Sequence, residues 1–185
     1  MRILVTGASG FLGRNMLKKL SNSNHSILAT SRLKDNRINF KESFEWVYGD
    51  LSDTEFIKKN LVKFNPEVLI HLAWSGIPNY SDHLSSINLH NSINLFREII
   101  SNTNCKKILV SGSCWEYGKK FGSCNESDSE IVDSYFNWAK NSLLKYLSFV
   151  CNEKNIDYHW FRIFFVFGLG QKESELIPTL INSIK

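Results

Sequence analysis

The chain has 185 residues, of which 43% are hydrophobic and 22% are charged, and its formal net charge is +4. At about 150 residues for a typical domain, this length favours one full domain and excludes a second complete one. The positive charges are scattered, which does not predict nucleic-acid binding, and no apolar stretch approaches the roughly 20 residues that would span a bilayer.

Cysteine spacing and the opening residues bear on metal binding and location. The four cysteines, Cys105, Cys114, Cys124 and Cys151, form no C-x-x-C pair and lack paired histidine spacing, so we expect reduced thiols and no metal site. The chain opens on a short β-branched run that leads into a glycine-rich turn, where a secreted protein would carry a leader with a cleavage site. We therefore expect a soluble, cytoplasmic protein without a membrane partner.

The periodicity of apolar residues predicts alternating strands and helices. In chain order we expect strand 3–5, helix 11–20, strand 26–30, strand 44–48, a helix that opens on a capping box at 52–55 and runs to about 63, strand 68–72, helix 83–102, strand 107–110, helix 136–152 and strand 158–166. Strands separated by helix-length segments predict a parallel sheet with right-handed crossovers and helices on both faces, which is the doubly wound α/β fold class. Polar connections occupy residues 31–43 and 118–133, and the second is long enough to suggest a functional loop.

Two apolar stripes have open interpretations. The segment 176–184 carries apolar residues at helical spacing, and we expect it to pack on the domain's own sheet. The alternative is a further C-terminal region that would cover it. In helix 83–102, the stripe of Leu84, Ile87, Leu95 and Ile99 suits either packing on the sheet or a contribution to a homodimer.

Three glycines, Gly7, Gly10 and Gly13, follow the first strand directly and open the first helix with the spacing G-x-x-G-x-x-G. Glycines let the backbone turn sharply and approach a ligand closely, while the N–H groups of the helix start point at an anion. The turn therefore predicts a site for the pyrophosphate of a dinucleotide.

Further segments accompany the turn along nearly the whole chain: 5–13, 49–51, 71–73, Asn88, 111–113 with 117–118, 139–140 and 162–170. In this order and spacing they resemble the NAD-dependent epimerase/dehydratase family of nucleotide-sugar enzymes, within the extended short-chain dehydrogenase/reductase superfamily. The resemblance implies a Rossmann-type NAD(P)-binding domain over residues 1–170. Residues 171–185 would then begin a substrate-binding region that is largely absent.

The resemblance also implies the cofactor contacts. The pyrophosphate would lie on the turn and the helix start, at Gly7, Ser9, Gly10, Phe11, Leu12 and Gly13. Asp50 with Leu51 would meet the adenine edge, and Leu72 and Ala73 would line the cleft. For Asp50 a turn position, where aspartate is common anyway, is an equally good explanation.

The end of the second strand bears on the choice between NAD and NADP. An acidic side chain there would accept hydrogen bonds from the ribose hydroxyls of NAD and would repel a 2′-phosphate. Here the sequence reads Thr30-Ser31-Arg32, which has no carboxylate and offers a charged guanidinium to a phosphate. NADP(H) is therefore favoured, with NAD as the alternative.

By the same resemblance, Ser113 would polarise a sugar oxygen and Lys140 would hold the cofactor ribose. The family's proton-donating tyrosine stands four residues before the lysine, but here that position is Phe136, and Tyr135 stands five residues before Lys140. On a regular helix a five-residue spacing opens about 140° between side chains, so Tyr135 and Lys140 would face different ways. Either Ser134 caps the helix and Tyr135 swings into the cleft as the proton donor, or Phe136 occupies the phenol's place.

Other departures from the family pattern narrow the expected chemistry. Cys114-Trp115 replaces the Asp-Glu pair of sugar dehydratases, so elimination of water is disfavoured. Phe165 replaces an asparagine that grips the substrate pyrophosphate in many epimerases. We expect 4-keto reduction of a nucleotide sugar, with a 4-epimerase or a catalytically weakened cofactor-binding relative as alternatives. Glu116 is interpreted as a surface or loop charge on a strand, and His71 as a packing or hydrogen-bonding residue at a strand end.

Overall fold

A computed structural model describes residues 1–34 and 44–184. Its strands are β1 Arg2–Thr6, β2 Ser26–Ser31, β3 Glu45–Tyr48, β4 Val68–His71, β5 Lys107–Ser113 and β6 Asp157–Ile163. Its helices are α1 Phe11–Leu20, α2 Thr54–Phe56 with a π-helical continuation Ile57–Val62, α3 Asp82–Asn102, α4 Tyr135–Lys154 and α5 Leu176–Ile184. A short 3₁₀ turn, Cys114–Tyr117, follows β5.

The six strands form one sheet in the order β3-β2-β1-β4-β5-β6, and every neighbouring pair is parallel. This confirms the predicted doubly wound α/β class. The predicted connection 31–43 lies mostly outside the described residues. The strand ends differ from the expected ones because β5 and β6 pair as far as Ser113 and Ile163, so β5 is longer and β6 shorter than the sequence pattern predicts.

Successive strand residues point to opposite faces, and each face has its own core. Leu4 faces a large core built with α2, α3 and α4, in which Leu95 and Ile99 are fully buried. Val5 faces a smaller core under α1. Burial of Leu95 and Ile99 shows that the C-terminal half of the apolar stripe on α3 packs within the chain.

Helix α5 does not behave as expected. None of its residues is buried, and its apolar side chains include Leu176, 71% exposed, and Ile184, 85% exposed. The expectation that it packs on the domain's own sheet is therefore wrong. No helix in the two described ranges combines the length and the hydropathy that crossing a membrane requires.

Candidate active site

The glycine turn brings β1, the start of α1 and the end of β4 into close contact. Gly7 has φ +68°, and a Cβ there would lie 2.7 Å from the backbone nitrogen of Ala73, so only glycine fits. A Cβ at Gly13 would lie 2.2 Å from the Gly7 carbonyl oxygen. No side chain caps α1, so the N–H groups of its first turn, Phe11 to Gly13, are open to an anion.

A cleft of about 550 Å³ opens beside this turn at the carboxyl ends of β1, β2 and β4. It lies between β1 and β4, where the strand order reverses and where such sheets bind their ligands. The predicted cofactor residues that line it are Gly7, Ser9, Gly10, Arg32, Asp50, Leu51, Leu72 and Ala73. Thr30 also lines the cleft, and its buried hydroxyl has no hydrogen-bond partner within the described ranges. The size, the open helix start and this unpartnered hydroxyl fit a dinucleotide.

Asp50 and Arg32 mark the end of the cleft nearest β2 and β3. The Asp50 carboxylate accepts a hydrogen bond of 2.9 Å from the backbone N–H of Ser52. This bond, with the Ser52 hydroxyl and the charge of Arg32, holds the pKa of Asp50 below its usual value. Asp50 is thus an ionised acceptor that faces a permanent cation across the cleft.

His71, at the end of β4, has its two ring nitrogens paired. Its Nδ1 lies 2.8 Å from the Thr6 hydroxyl and its Nε2 lies 3.1 Å from the Ser92 hydroxyl. Because the single hydroxyl proton of Ser92 goes to the Asn88 carbonyl at 2.7 Å, Nε2 must carry the hydrogen and Nδ1 must accept from Thr6. Burial, with a smaller effect of the Lys140 charge, lowers the pKa of His71 to about 3. The expected hydrogen-bonding role is confirmed.

Ser113 ends β5, and the Lys140 ammonium reaches this strand; neither residue lines the cleft, but Trp74, which does line it, covers the Lys140 ammonium. The Lys140 ammonium donates to the Ser111 carbonyl at 2.8 Å and rests 3.8 Å from the centre of the Trp74 ring. Burial lowers the pKa of Lys140 to about 7, against an opposing effect of the Glu116 charge. The Ser113 hydroxyl oxygen accepts from the Trp115 N–H at 3.2 Å, and the hydroxyl also forms a hydrogen bond with the Cys114 side chain.

Phe136 occupies the position beside Lys140, and Tyr135 does not reach it. The Phe136 side chain is buried, with its ring centre 5.9 Å from the Lys140 ammonium and 5.6 Å from that of Trp74. Ser134 does cap α4, accepting from the Asn137 N–H. Tyr135 is nevertheless 57% exposed, and it lines a second cavity together with Tyr80, Asp82 and Trp138. Of these two side chains, Phe136 is the one that lies next to the Lys140 ammonium.

Glu116 is not a surface charge, and this prediction is wrong. Its carboxylate is fully buried and accepts from the Ser113 N–H at 2.7 Å, from the Trp160 indole at 2.8 Å and from the Arg162 guanidinium at 3.0 Å. Because residues 114–117 form a 3₁₀ turn, the side chain folds back under the strand end. Arg162 also bonds Glu130 at 3.0 Å, which ties the 118–133 connection to β6.

Gly112 makes this arrangement possible. A Cβ at position 112 would lie 2.2 Å from the Trp160 indole nitrogen and 2.7 Å from a Glu116 carboxylate oxygen. Only a residue without a side chain lets the carboxylate and the indole meet beneath β5.

Two residues that shape the cleft are not among the predicted site residues. Asn88 on α3 accepts from the Ser75 N–H at 2.8 Å and donates to the Ser75 carbonyl at 3.0 Å, so it fixes the loop after β4. Trp74 in that loop covers Lys140. Asn88 stood among the segments of the resemblance, which was a usable signal, whereas nothing in the local sequence indicated the position of Trp74. The described ranges contain no group of three or more His, Cys, Asp or Glu side chains arranged for a metal ion.

Comparison with known proteins matches this geometry to a family. The sequence profile of the NAD dependent epimerase/dehydratase family matches residues 3–185. The dTDP-6-deoxy-L-talose 4-dehydrogenase (NAD(+)) of Aggregatibacter actinomycetemcomitans is 28% identical over 99% of this chain and 68% of its own length. UDP-glucose 4-epimerase of Pisum sativum is 27% identical over 64% of this chain and 38% of its own.

Solved structures share the fold. A UDP-N-acetylglucosamine 4-epimerase from Methanobrevibacter ruminantium M1, in complex with UDP-N-acetylmuramic acid, superposes with a TM-score of 0.83 and 26% identity. The superposition covers 99% of this chain and 62% of that protein, so this chain spans less than two thirds of its length. With the family profile matching almost every residue, the chain belongs to the NAD-dependent epimerase/dehydratase family.

Proposed function

We propose that this chain carries the cofactor-binding and catalytic part of a nucleotide-sugar oxidoreductase that reduces a 4-keto sugar. The observation that carries the proposal is the cleft on the open start of α1, with Ser113 at the end of β5 and Lys140 covered by Trp74, which lines the cleft. The relative that aligns with 99% of the chain is named a 4-dehydrogenase, which supports redox chemistry at C4 of a sugar.

Each group has a defined part in this reaction. A bound nicotinamide dinucleotide would supply the hydride. The N–H groups of the first turn of α1 hold its pyrophosphate, while Leu72 and Ala73 line the cleft along its length. The hydroxyl of Ser113, the last residue of β5, would donate to the sugar carbonyl oxygen. Lys140 has two ammonium protons beyond the one given to Ser111, and these bind the cofactor ribose.

Arg32 supports NADP(H) as the cofactor. Its guanidinium lines the cleft, and β2 ends there without a carboxylate that would repel a 2′-phosphate. NAD(H) is the alternative, because Asp50 offsets part of the Arg32 charge and the name of one relative prints NAD(+).

Calorimetry on Arg32→Ala decides between the two cofactors. We expect the variant to bind NADPH about 10- to 150-fold more weakly while NADH binding is unchanged, since a lost charged hydrogen bond is worth about 1.5–3 kcal/mol. Arg97→Ala, which removes an exposed arginine on α3, is the matched control. Equal losses of affinity for both cofactors would contradict a contact between Arg32 and a 2′-phosphate, and would favour NAD(H).

Turnover is tested with reduced cofactor and nucleotide 4-keto sugars, followed by the loss of dihydronicotinamide absorbance. The proposal expects oxidation of the cofactor that depends on the sugar. Tight cofactor binding without any oxidation would instead favour a catalytically weakened relative, a reading that Phe136 beside Lys140 supports. Interconversion of UDP-sugars at C4 without net oxidation would favour a 4-epimerase. Cytoplasmic location and a homodimer stay predictions.

A further inference from the structure

A phenol other than Tyr135 packs against Phe136. Tyr80, in the loop between β4 and α3, has its ring centre 4.8 Å from that of Phe136 and 5.8 Å from that of Trp115. Phe136 stands beside Lys140, and Trp115 is two residues beyond Ser113. Tyr80 therefore lies against both the helix that carries Lys140 and the turn that follows Ser113.

The remaining tyrosines are committed elsewhere. Tyr117 is buried and its hydroxyl lies 3.4 Å from the Arg162 guanidinium. Tyr146 and Tyr158 pack against the large core, and Tyr48 stacks on Trp46 at the far edge of the sheet. Tyr135 is more than half exposed. Of the six tyrosines, Tyr80 is the one whose ring contacts Phe136.

The Tyr80 hydroxyl is available to a ligand. Across the described ranges no hydrogen-bond partner of this hydroxyl is found, and its side chain lines the second cavity together with Tyr135 and Trp138. Burial raises the pKa of Tyr80 above its usual value, and the negative charges of Glu175 and of ionised Cys114 raise it further. Asp82 lines the same cavity. The phenol is thus protonated at neutral pH, the form that a general acid requires.

We propose that Tyr80 donates the proton in keto reduction, replacing the phenol that Phe136 lacks, an inference that rests on the proposed function. The Tyr80 O–H bond breaks as an O–H bond forms on the carbonyl oxygen of the keto sugar. A bound reduced nicotinamide would supply the hydride that the carbonyl carbon accepts, and the C=O π electrons would become the new O–H bond pair. The products are a hydroxyl sugar, the oxidised cofactor and tyrosinate, which regains a proton from water in the second cavity.

A tyrosinate titration tests this placement without turnover. The ultraviolet absorbance of ionised tyrosine is followed against pH in the full chain, alone and with oxidised or reduced cofactor. The cationic ring of the oxidised cofactor should lower the pKa of one phenol by about one unit or more, whereas the reduced cofactor should not. The shifting phenol should be absent in Tyr80→Phe and retained in Tyr158→Phe, a control at the opposite, amino end of the sheet.

Rescue separates a chemical role from a structural one. Tyr80→Phe should lower the rate of cofactor oxidation by about 10²-fold or more, the usual contribution of a general acid, with cofactor affinity unchanged. Adding Phe136→Tyr to that variant should restore the rate, because it returns a phenol beside Lys140. A phenol at Tyr135 that shifts instead, or a Tyr80→Phe variant with the wild-type rate, would overturn the inference and leave the proposed function standing. If calorimetry finds no cofactor binding, the proposed function fails and the inference fails with it.

Discussion

Replacing Glu116 with alanine should cost much of the stability of the fold. The change leaves three partly buried donors without their acceptor: the Ser113 N–H, the Trp160 indole N–H and the Arg162 Nε–H. The Arg162 side chain is only 14% exposed, so its charge stays largely out of water. Breaking a buried pair by removing one partner costs about 3–5 kcal/mol. We expect the lower end of that range, because Arg162 keeps its bond to Glu130.

Urea unfolding measures this loss. With an m-value of about 2 kcal/mol/M, the midpoint should fall by about 1.5–2 M. Glu130→Ala is the matched control, because it removes the other carboxylate on Arg162, which is 29% exposed, and it should cost no more than about 1 kcal/mol. If the two variants unfold at the same urea concentration, the buried carboxylate is not what holds the end of β5, and the reasoning is refuted.

Two further substitutions test the packing of the glycine turn and the titration of the buried His71. Gly7→Ala should abolish cofactor binding in calorimetry and lower stability by more than about 2 kcal/mol, because the new Cβ would lie 2.7 Å from the Ala73 backbone at a positive φ. Gly122→Ala, also at positive φ but with nothing within 4 Å, isolates the conformational cost, and equal behaviour of the two would contradict the packing argument. The free energy of unfolding should fall less steeply in acid for His71→Gln than for the wild type. The pKa of His71 is about 3 in the folded chain and ordinarily 6.5, so between pH 3 and pH 6.5 only the unfolded chain binds a proton at this imidazole. That group then lowers wild-type stability by up to about 1.4 kcal/mol per pH unit below 6.5, and a His71→Gln slope equal to that of the exposed-site control His90→Gln would exclude this role.

The parts of the site that follow from topology were predictable. Leu72, Ala73 and the glycine turn end parallel strands or follow them, and parallel strands bring their carboxyl ends to one edge of the sheet. Local spacing indicated that Tyr135 and Lys140 face different ways, since a five-residue separation on a helix turns two side chains apart, but it left open whether a capped helix start would bring Tyr135 into the cleft.

Features that depend on long-range packing could not be read from local patterns. Glu116 finds its partners Trp160 and Arg162 on β6, 44 and 46 residues further along the chain. Its burial also required a 3₁₀ turn where alternation predicts a strand. Tyr80 stands in a loop whose course is set by the Asn88 contacts to Ser75, so nothing around position 80 indicated the ring of Phe136.

The absence of a side chain at Gly112 limits how the end of β5 can evolve. The indole nitrogen and the carboxylate oxygen beneath it leave no room for even a methyl group. A mutant library randomised over residues 111–116 and selected for folded protein should therefore return glycine at 112 almost without exception. Half-exposed neighbours such as Cys114 would vary freely. Changes in substrate preference at this strand end would therefore come from those neighbours while Gly112 stays the same.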